Sequence, residues 1–145
     1  MCGPGMEMLE LMEEEEMNKI INTDCIEGLK QLEENSVDLC VTSPPYNVGI
    51  EYDDWDDNLQ IVDYLGFAKE WLTEVYRVLK PDGRIAVNIP YEVNMKKLGG
   101  HNRMLIQSEY HQIMKEIGFG FAGIVDLDEK APQKVKFSAW GSWLS

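Results

Sequence analysis

Val37-Asp38-Leu39-Cys40-Val41-Thr42-Ser43-Pro44-Pro45-Tyr46-Asn47 sets an apolar run with β-branched residues against an abrupt stop. Val37 to Val41 reads as a buried strand, ended by a serine, two prolines and an aromatic. Open α/β sheets bind ligands at the carboxyl ends of their strands, so a site is expected here. Both prolines lack an N–H and hold φ near about −65°, which leaves a stiff backbone rich in carbonyl acceptors. Ser43 adds a hydroxyl, and Tyr46 a flat apolar face with a polar tip. Such a corner suits a planar amine.

Outward from this stretch, the pattern alternates strands and helices. Lys19 to Asn22 reads as a strand and Cys25 to Glu33 as a helix, with Ile26, Leu29 and Leu32 on one face. Asp24 followed by Glu27 fits a capping box at its start. Asn58 to Lys80 is the clearest helix: Ile61, Tyr64, Leu65, Ala68, Trp71, Leu72, Val75, Val78 and Leu79 trace one apolar stripe, which assigns its aromatics to the core. Lys80-Pro81-Asp82-Gly83 predicts a turn with proline at its second position, and Arg84 to Asn88 the next strand. Arg103 to Ile117 has a helical period and Phe121 to Leu127 reads as strand. The expected class is α/β, a doubly wound, mainly parallel sheet.

Ser43-Pro44-Pro45-Tyr46 resembles the catalytic motif of the amino-group DNA methyltransferases, which move a methyl from S-adenosylmethionine to N4 of cytosine or N6 of adenine. The resemblance runs in order along most of the chain. Upstream lie Ile21-Asn22-Thr23-Asp24-Cys25, Leu29, Leu32 and Ser36-Val37-Asp38-Leu39; downstream lie Glu74 to Ile85, then Ile117-Gly118-Phe119 and Trp140-Gly141-Ser142-Trp143. An isolated Ser-Pro-Pro-Tyr would say little, since its dipeptides are ordinary turn formers. What the resemblance implies is a Rossmann-like, partial class I methyltransferase domain over residues 17–145, behind an acidic extension at 1–16.

The chemistry implied is coherent on first principles. An exocyclic amino nitrogen gives its lone pair to the ring and is a poor nucleophile until acceptors on its hydrogens draw it toward a tetrahedral shape. The resemblance assigns the Pro44 carbonyl and the Ser43 hydroxyl as those acceptors, with Pro45 stiffening the loop and Tyr46 stacked on the base. The target lies inside the duplex, so the base must be everted first. Serine at the first motif position resembles the cytosine-N4 members, where adenine-N6 members usually carry aspartate. The resemblance also places Asp24 and Ser43 near the cofactor; for Asp24, cap and cofactor residue both stand. Trp140 and Trp143 are expected against the base or DNA edge, or as apolar groups left exposed.

These enzymes also use a Phe-x-Gly-x-Gly turn for the methionine part of the cofactor, and no such turn occurs in this sequence. Gly118-Phe119-Gly120-Phe121-Ala122-Gly123 spells Gly-x-Gly-x-x-Gly, but that fingerprint works between a strand and the helix it opens. Here helix precedes strand, so a helix-terminating glycine is expected. The chain thus resembles the amino-terminal half of a permuted methyltransferase: a truncated piece, a natural half whose partner chain brings the cofactor turn, or a remnant. Stopping just after Trp-Gly-Ser-Trp favours truncation. Beside the enzyme stands a non-catalytic DNA-binding or assembly subunit, and more weakly an RNA or protein-amide methyltransferase.

The 145 residues, 44% apolar and 10% aromatic, suffice for one domain with a core. Cys2, Cys25 and Cys40 are odd in number and lack metal-ligand spacing, which points to a reduced, cytoplasmic protein. No apolar run approaches the roughly 20 residues of a membrane span, and the acidic amino terminus does not resemble a signal peptide. A net charge of −13 opposes DNA binding. Its distribution softens that: Met1 to Glu16 hold six glutamates, and Glu51, Asp53, Asp54, Asp56 and Asp57 form a second acidic run, whose four aspartates around Trp55 are expected as a mobile lid. Two basic clusters stand apart from these, at Lys96, Lys97 and Arg103 with His101, and at Lys130, Lys134 and Lys136; these two segments are expected to flank double-stranded DNA, with solvated loop cations as the plain alternative.

Overall fold

The computed structural model describes residues 18–51, 56–57, 59–94 and 103–127 and the backbone of 139–144. The acidic extension, Lys96, Lys97, His101, Lys130, Lys134 and Lys136 lie outside them. Helix α1 spans Cys25–Lys30, strand β1 Val37–Thr42, helix α2 Ile61–Val78 and strand β2 Leu79–Ile89. Short strands β3, Val93–Asn94, and β4, Arg103–Met104, form a separate ribbon before helix α3, Ile106–Ile117. Strands β5, Gly120–Val125, and β6, Ala139–Leu144, complete a sheet of order β1-β2-β6-β5.

The α/β class holds. Within the described sheet β1 and β2 are parallel, while β6 runs antiparallel to both β2 and β5, so the described part is mixed where a mainly parallel sheet was expected. The cause is local: β5 and β6 pair antiparallel with each other, which reverses the chain direction within the sheet.

Ile85, Val87 and Ile89 of β2 alternate inward and share one core with Tyr64, Leu72 and Val75 of α2 and Ile106, Tyr110 and Met114 of α3. β1 is less enclosed than its composition suggests. Val37 and Cys40 pack on the core, but Leu39 and Val41 are 58% and 71% exposed, because among the described residues nothing covers that face or pairs beyond β1. Lys19 to Asn22, expected as strand, is irregular, and Ile20 is 98% exposed: among the described residues it has no strand to pair with.

The expected turn at Lys80-Pro81-Asp82-Gly83 is present in another form. β2 begins before it, at Leu79, and these four residues are inserted as a bulge between the pairs Val37–Leu79 and Leu39–Arg84. Glycine is needed where the bulge folds on itself, since a Cβ at Gly83 would stand 2.9 Å from the Lys80 carbonyl oxygen. Gly118 closes α3 at φ 124°, with its own N–H and that of Phe119 both donating to the Met114 carbonyl, so the glycines there end a helix as expected. The cap on α1 is also as read: Asp24 Oδ1 accepts from the Ile26 and Glu27 N–H groups at 3.0 and 3.2 Å. Glu27 does not complete the box; its carboxylate takes Lys30 Nζ at 2.8 Å.

Candidate active site

Ser43 follows the last residue of β1, at the carboxyl end of the parallel pair. Pro44 is buried, Pro45 and Tyr46 are half-buried, and Ser43 is exposed. The Ser43 Oγ and the Tyr46 hydroxyl lie 2.7 Å apart, and the Asn88 amide nitrogen donates to Ser43 Oγ at 3.4 Å from the end of β2. Proton counting then constrains the site. If Tyr46 donates to Ser43, the two lone pairs of Ser43 are taken by Tyr46 and Asn88. If Ser43 donates to Tyr46, one lone pair is left to accept from a substrate N–H. Only the second arrangement lets Ser43 serve as an amino-group acceptor.

The loop is held from outside itself. Tyr64, in α2, donates its hydroxyl proton to the Pro45 carbonyl at 2.9 Å, and its oxygen lies 3.1 Å from that of Tyr110. A phenol has one proton to give, so with Tyr64 committed to Pro45, Tyr110 donates to Tyr64. Burial raises both phenols, Tyr110 to about 12 and Tyr64 further, so both remain protonated donors at any working pH. Of the two consecutive prolyl carbonyls, that of Pro45 is thus committed to the scaffold.

Asn47 takes a left-handed conformation, φ 58°, which asparagine tolerates. Its side chain pairs with Leu59 twice, accepting from the Leu59 N–H at 2.7 Å and donating to its carbonyl at 2.9 Å. The backbone N–H groups of Asn47, Val48, Gly49 and Ile50 all donate to the carboxylate of Asp57, at 2.8 to 3.0 Å. Asp57 is 1% exposed, which corrects its place in a mobile lid: the backbone amides replace the water a carboxylate would otherwise keep. Glu51 and Asp56 form an isolated antiparallel bridge across the same turn, and Asp53 and Asp54 lie outside the described residues.

The remaining expected residues are dispersed. Arg103 is exposed in β4 and paired with Glu92. Trp140 and Trp143 enter by backbone register alone, opposite Asn88 and Ile85, which puts Trp140 one strand from Asn88 at the end of the sheet where Ser43 lies. Asp24 is occupied as a helix cap. Asn47, Asp57, Tyr64 and Asn88 were not singled out from sequence as site residues. Tyr64 and Asn88 carry no local signal beyond core or strand spacing; only the parallel register brings Asn88 beside Ser43.

Comparison with known proteins identifies the family. The family model described as DNA methylase, that of the N6 and N4 methyltransferases, matches residues 37–136. The chain is 37% identical over 129 residues to the type II methyltransferase M.MjaVI of Methanocaldococcus jannaschii, covering 87% of this chain and 60% of that protein. To M.HpaI of Haemophilus parainfluenzae it is 54% identical over 69 residues, 48% of this chain and 22% of the relative, so it spans less than two thirds of either protein. The structure of the cytosine-N4-specific PvuII DNA methyltransferase superposes with a TM-score of 0.63 at 23% identity, over 83% of this chain and 46% of that one, a likeness of fold. On the family match and the M.MjaVI likeness, this chain belongs to the amino-group (N6/N4) DNA methyltransferase family.

Proposed function

We propose that the protein is, or supplies the base-binding part of, an S-adenosylmethionine-dependent DNA methyltransferase that modifies the exocyclic amino group of an everted base, with N4 of cytosine as the target. The observation that carries this reading is the exposed Ser43 hydroxyl at the carboxyl end of β1, 2.7 Å from the hydroxyl of a half-buried tyrosine ring, on a loop pinned by Tyr64 and Asp57. In this reading Ser43 Oγ and the Pro44 carbonyl accept the two amino hydrogens, which turns the nitrogen lone pair out of the ring. Tyr46 stacks on the base and Pro45 keeps the corner stiff. Held in line with an electrophilic methyl, the nitrogen gains a proximity advantage worth about 7 to 11 kcal/mol in well-oriented systems. Serine at position 43 supports cytosine over adenine.

S-adenosylmethionine would supply a sulfonium methyl. The residues present fit it in part: Ser43 stands at the right end of the sheet, whereas the Asp24 carboxylate already caps α1 and the sequence lacks the Phe-x-Gly-x-Gly turn. The chain's own residues therefore hold the base side. The segment carrying the cofactor turn, in the same polypeptide or a second chain, would dock beside the unpaired edge of β1, where Leu39 and Val41 are exposed. Without it, the same residues would make a DNA-binding or assembly subunit.

Double-stranded DNA is the proposed partner, with Lys96, Lys97, Arg103, Lys134 and Lys136 along its backbone and Trp140 and Trp143 near the base. A cytoplasmic setting is part of the proposal: Cys25 and Cys40 are unpaired, and among the described residues no helix is long and apolar enough to cross a membrane.

The test is methyl transfer from labelled S-adenosylmethionine to double-stranded DNA, with the modified nucleoside identified by mass spectrometry. N4-methylcytosine is expected; N6-methyladenine would overturn the cytosine assignment, and transfer unaffected by Ser43→Ala would overturn the site. Calorimetry of the isolated chain with S-adenosylmethionine should show weak binding at most.

A further inference from the structure

Tyr46 lies between two peptide groups, and each is held by a side chain from a distant part of the sequence. The preceding peptide is fixed through the Pro45 carbonyl, which accepts from Tyr64 Oη at 2.9 Å. The following one is fixed through the Asn47 N–H, which donates to Asp57 Oδ1 at 2.8 Å. With both flanking planes pinned, φ and ψ of Tyr46 are set from outside the loop, and so is the direction in which its ring leaves the backbone.

Asp57 does more than close a turn. It is the one buried charged residue among the described residues, and none of their ion pairs includes it. Among the described residues its compensation is amide: Oδ1 takes Asn47, and Oδ2 takes Val48, Gly49 and Ile50. A carboxylate so enclosed can move only by breaking several charge-assisted hydrogen bonds together. Tyr64 is anchored in turn by Tyr110 from α3, with the Trp71 ring 6.3 Å from that of Tyr110. The placement of the aromatic face is thus referred to the rigid α2–α3 core and not to the exposed loop. Asn47, clasped by Leu59, keeps the same turn from twisting.

We infer that Asp57 and Tyr64 are positioning residues of the amino-group site, acting through Tyr46 and touching neither base nor cofactor. The inference rests on the reading of Ser43 to Tyr46 as that site, and the two fail separately. A misplacement of the order of 1 Å can cost about 100-fold in rate, so Tyr64→Phe and Asp57→Asn should each lower kcat by about 10- to 100-fold in the active enzyme, with KM for S-adenosylmethionine unchanged. Target-base eversion, read by fluorescence of 2-aminopurine at the target position, should weaken in parallel. Asparagine keeps one oxygen and so tests the second acceptor without emptying the site; phenylalanine keeps the packing of α2.

Amide hydrogen exchange on the chain alone reads the clamp without any activity. Asn47, Val48 and Ile50 should exchange about 10-fold faster or more in Asp57→Asn, while Gly49, which also donates to the Asp57 main-chain carbonyl at 2.8 Å, and the α2 amides keep their protection. Unchanged exchange at Asn47, Val48 and Ile50, or unchanged kcat in an active enzyme carrying either variant, overturns the positioning inference. A wild-type protein that transfers no methyl to DNA with the cofactor segment supplied overturns the site reading itself, whatever the exchange shows.

Discussion

Replacing Tyr46 by phenylalanine and by alanine separates the two things its side chain does. The ring is half-buried against the core and the hydroxyl reaches Ser43 Oγ at 2.7 Å. Stacking of a base on an aromatic side chain is worth about 1 to 3 kcal/mol by alanine substitution. At 1.36 kcal/mol per decade this is about 5- to 150-fold, and Tyr46→Ala should lose that much in kcat/KM for DNA methylation. Tyr46→Phe keeps the stacking face and gives up one partly exposed hydrogen bond of about 0.5 to 1.5 kcal/mol. Its effect should fall on kcat, because Ser43 loses the acceptor for its own proton and with it the fixed direction of its remaining lone pair. The assay is single-turnover methyl transfer on a duplex with one target, normalised to folded protein by circular dichroism. Full activity in Tyr46→Ala would refute the stacking role; equal losses in the two variants would show that the hydroxyl, not the ring, carries the effect.

Asp24→Ala should destabilise the fold by about 1 kcal/mol, the usual worth of an N-cap, measured by urea unfolding, while Asp24→Asn recovers most of it; if both variants also abolish S-adenosylmethionine binding by the completed enzyme, the carboxylate serves the cofactor as well. Alkaline titration should expose the buried tyrosine pair. The folded protein holds the Tyr110 proton more tightly, at about 12 against an ordinary 10.0, with Tyr64 shifted the same way, so this stabilisation is whole below pH 10 and is lost as pH rises toward 12. Melting temperatures across that window should fall, and the fall should flatten in Tyr64→Phe; a decline that begins well below pH 10 would contradict the burial of the pair.

What could be read from sequence was what depends on near neighbours. The stop after Thr42 follows from two adjacent prolines, the α2 stripe from its helical period, the α1 cap from Asp24 before a short apolar face, and the end of α3 from Gly118. What could not be read depends on what lies across space. Leu39 and Val41 have the composition of a buried strand, yet their exposure is decided by whatever else packs on β1. Lys80-Pro81-Asp82-Gly83 has the same turn chemistry whether it precedes a strand or interrupts one, and only the register with β1 distinguishes them.

Asp57 and Tyr64 show the deeper reason. An acid within an acidic run looks solvated, and an aromatic on an apolar helical stripe looks like core, because each pattern describes one residue's surroundings along the chain. Both readings treat burial and function as alternatives. In this fold they coincide: the Tyr64 ring packs in the core while its hydroxyl holds Pro45, and Asp57 is buried because the turn after Tyr46 folds its amides around it. A tetrapeptide stiffened by proline still leaves the residues on either side free to rotate, so rigidity at Ser43 to Tyr46 cannot come from the motif alone. The groups that complete it have to come from elements packed behind the loop, where neither charge pattern nor hydrophobic period marks them.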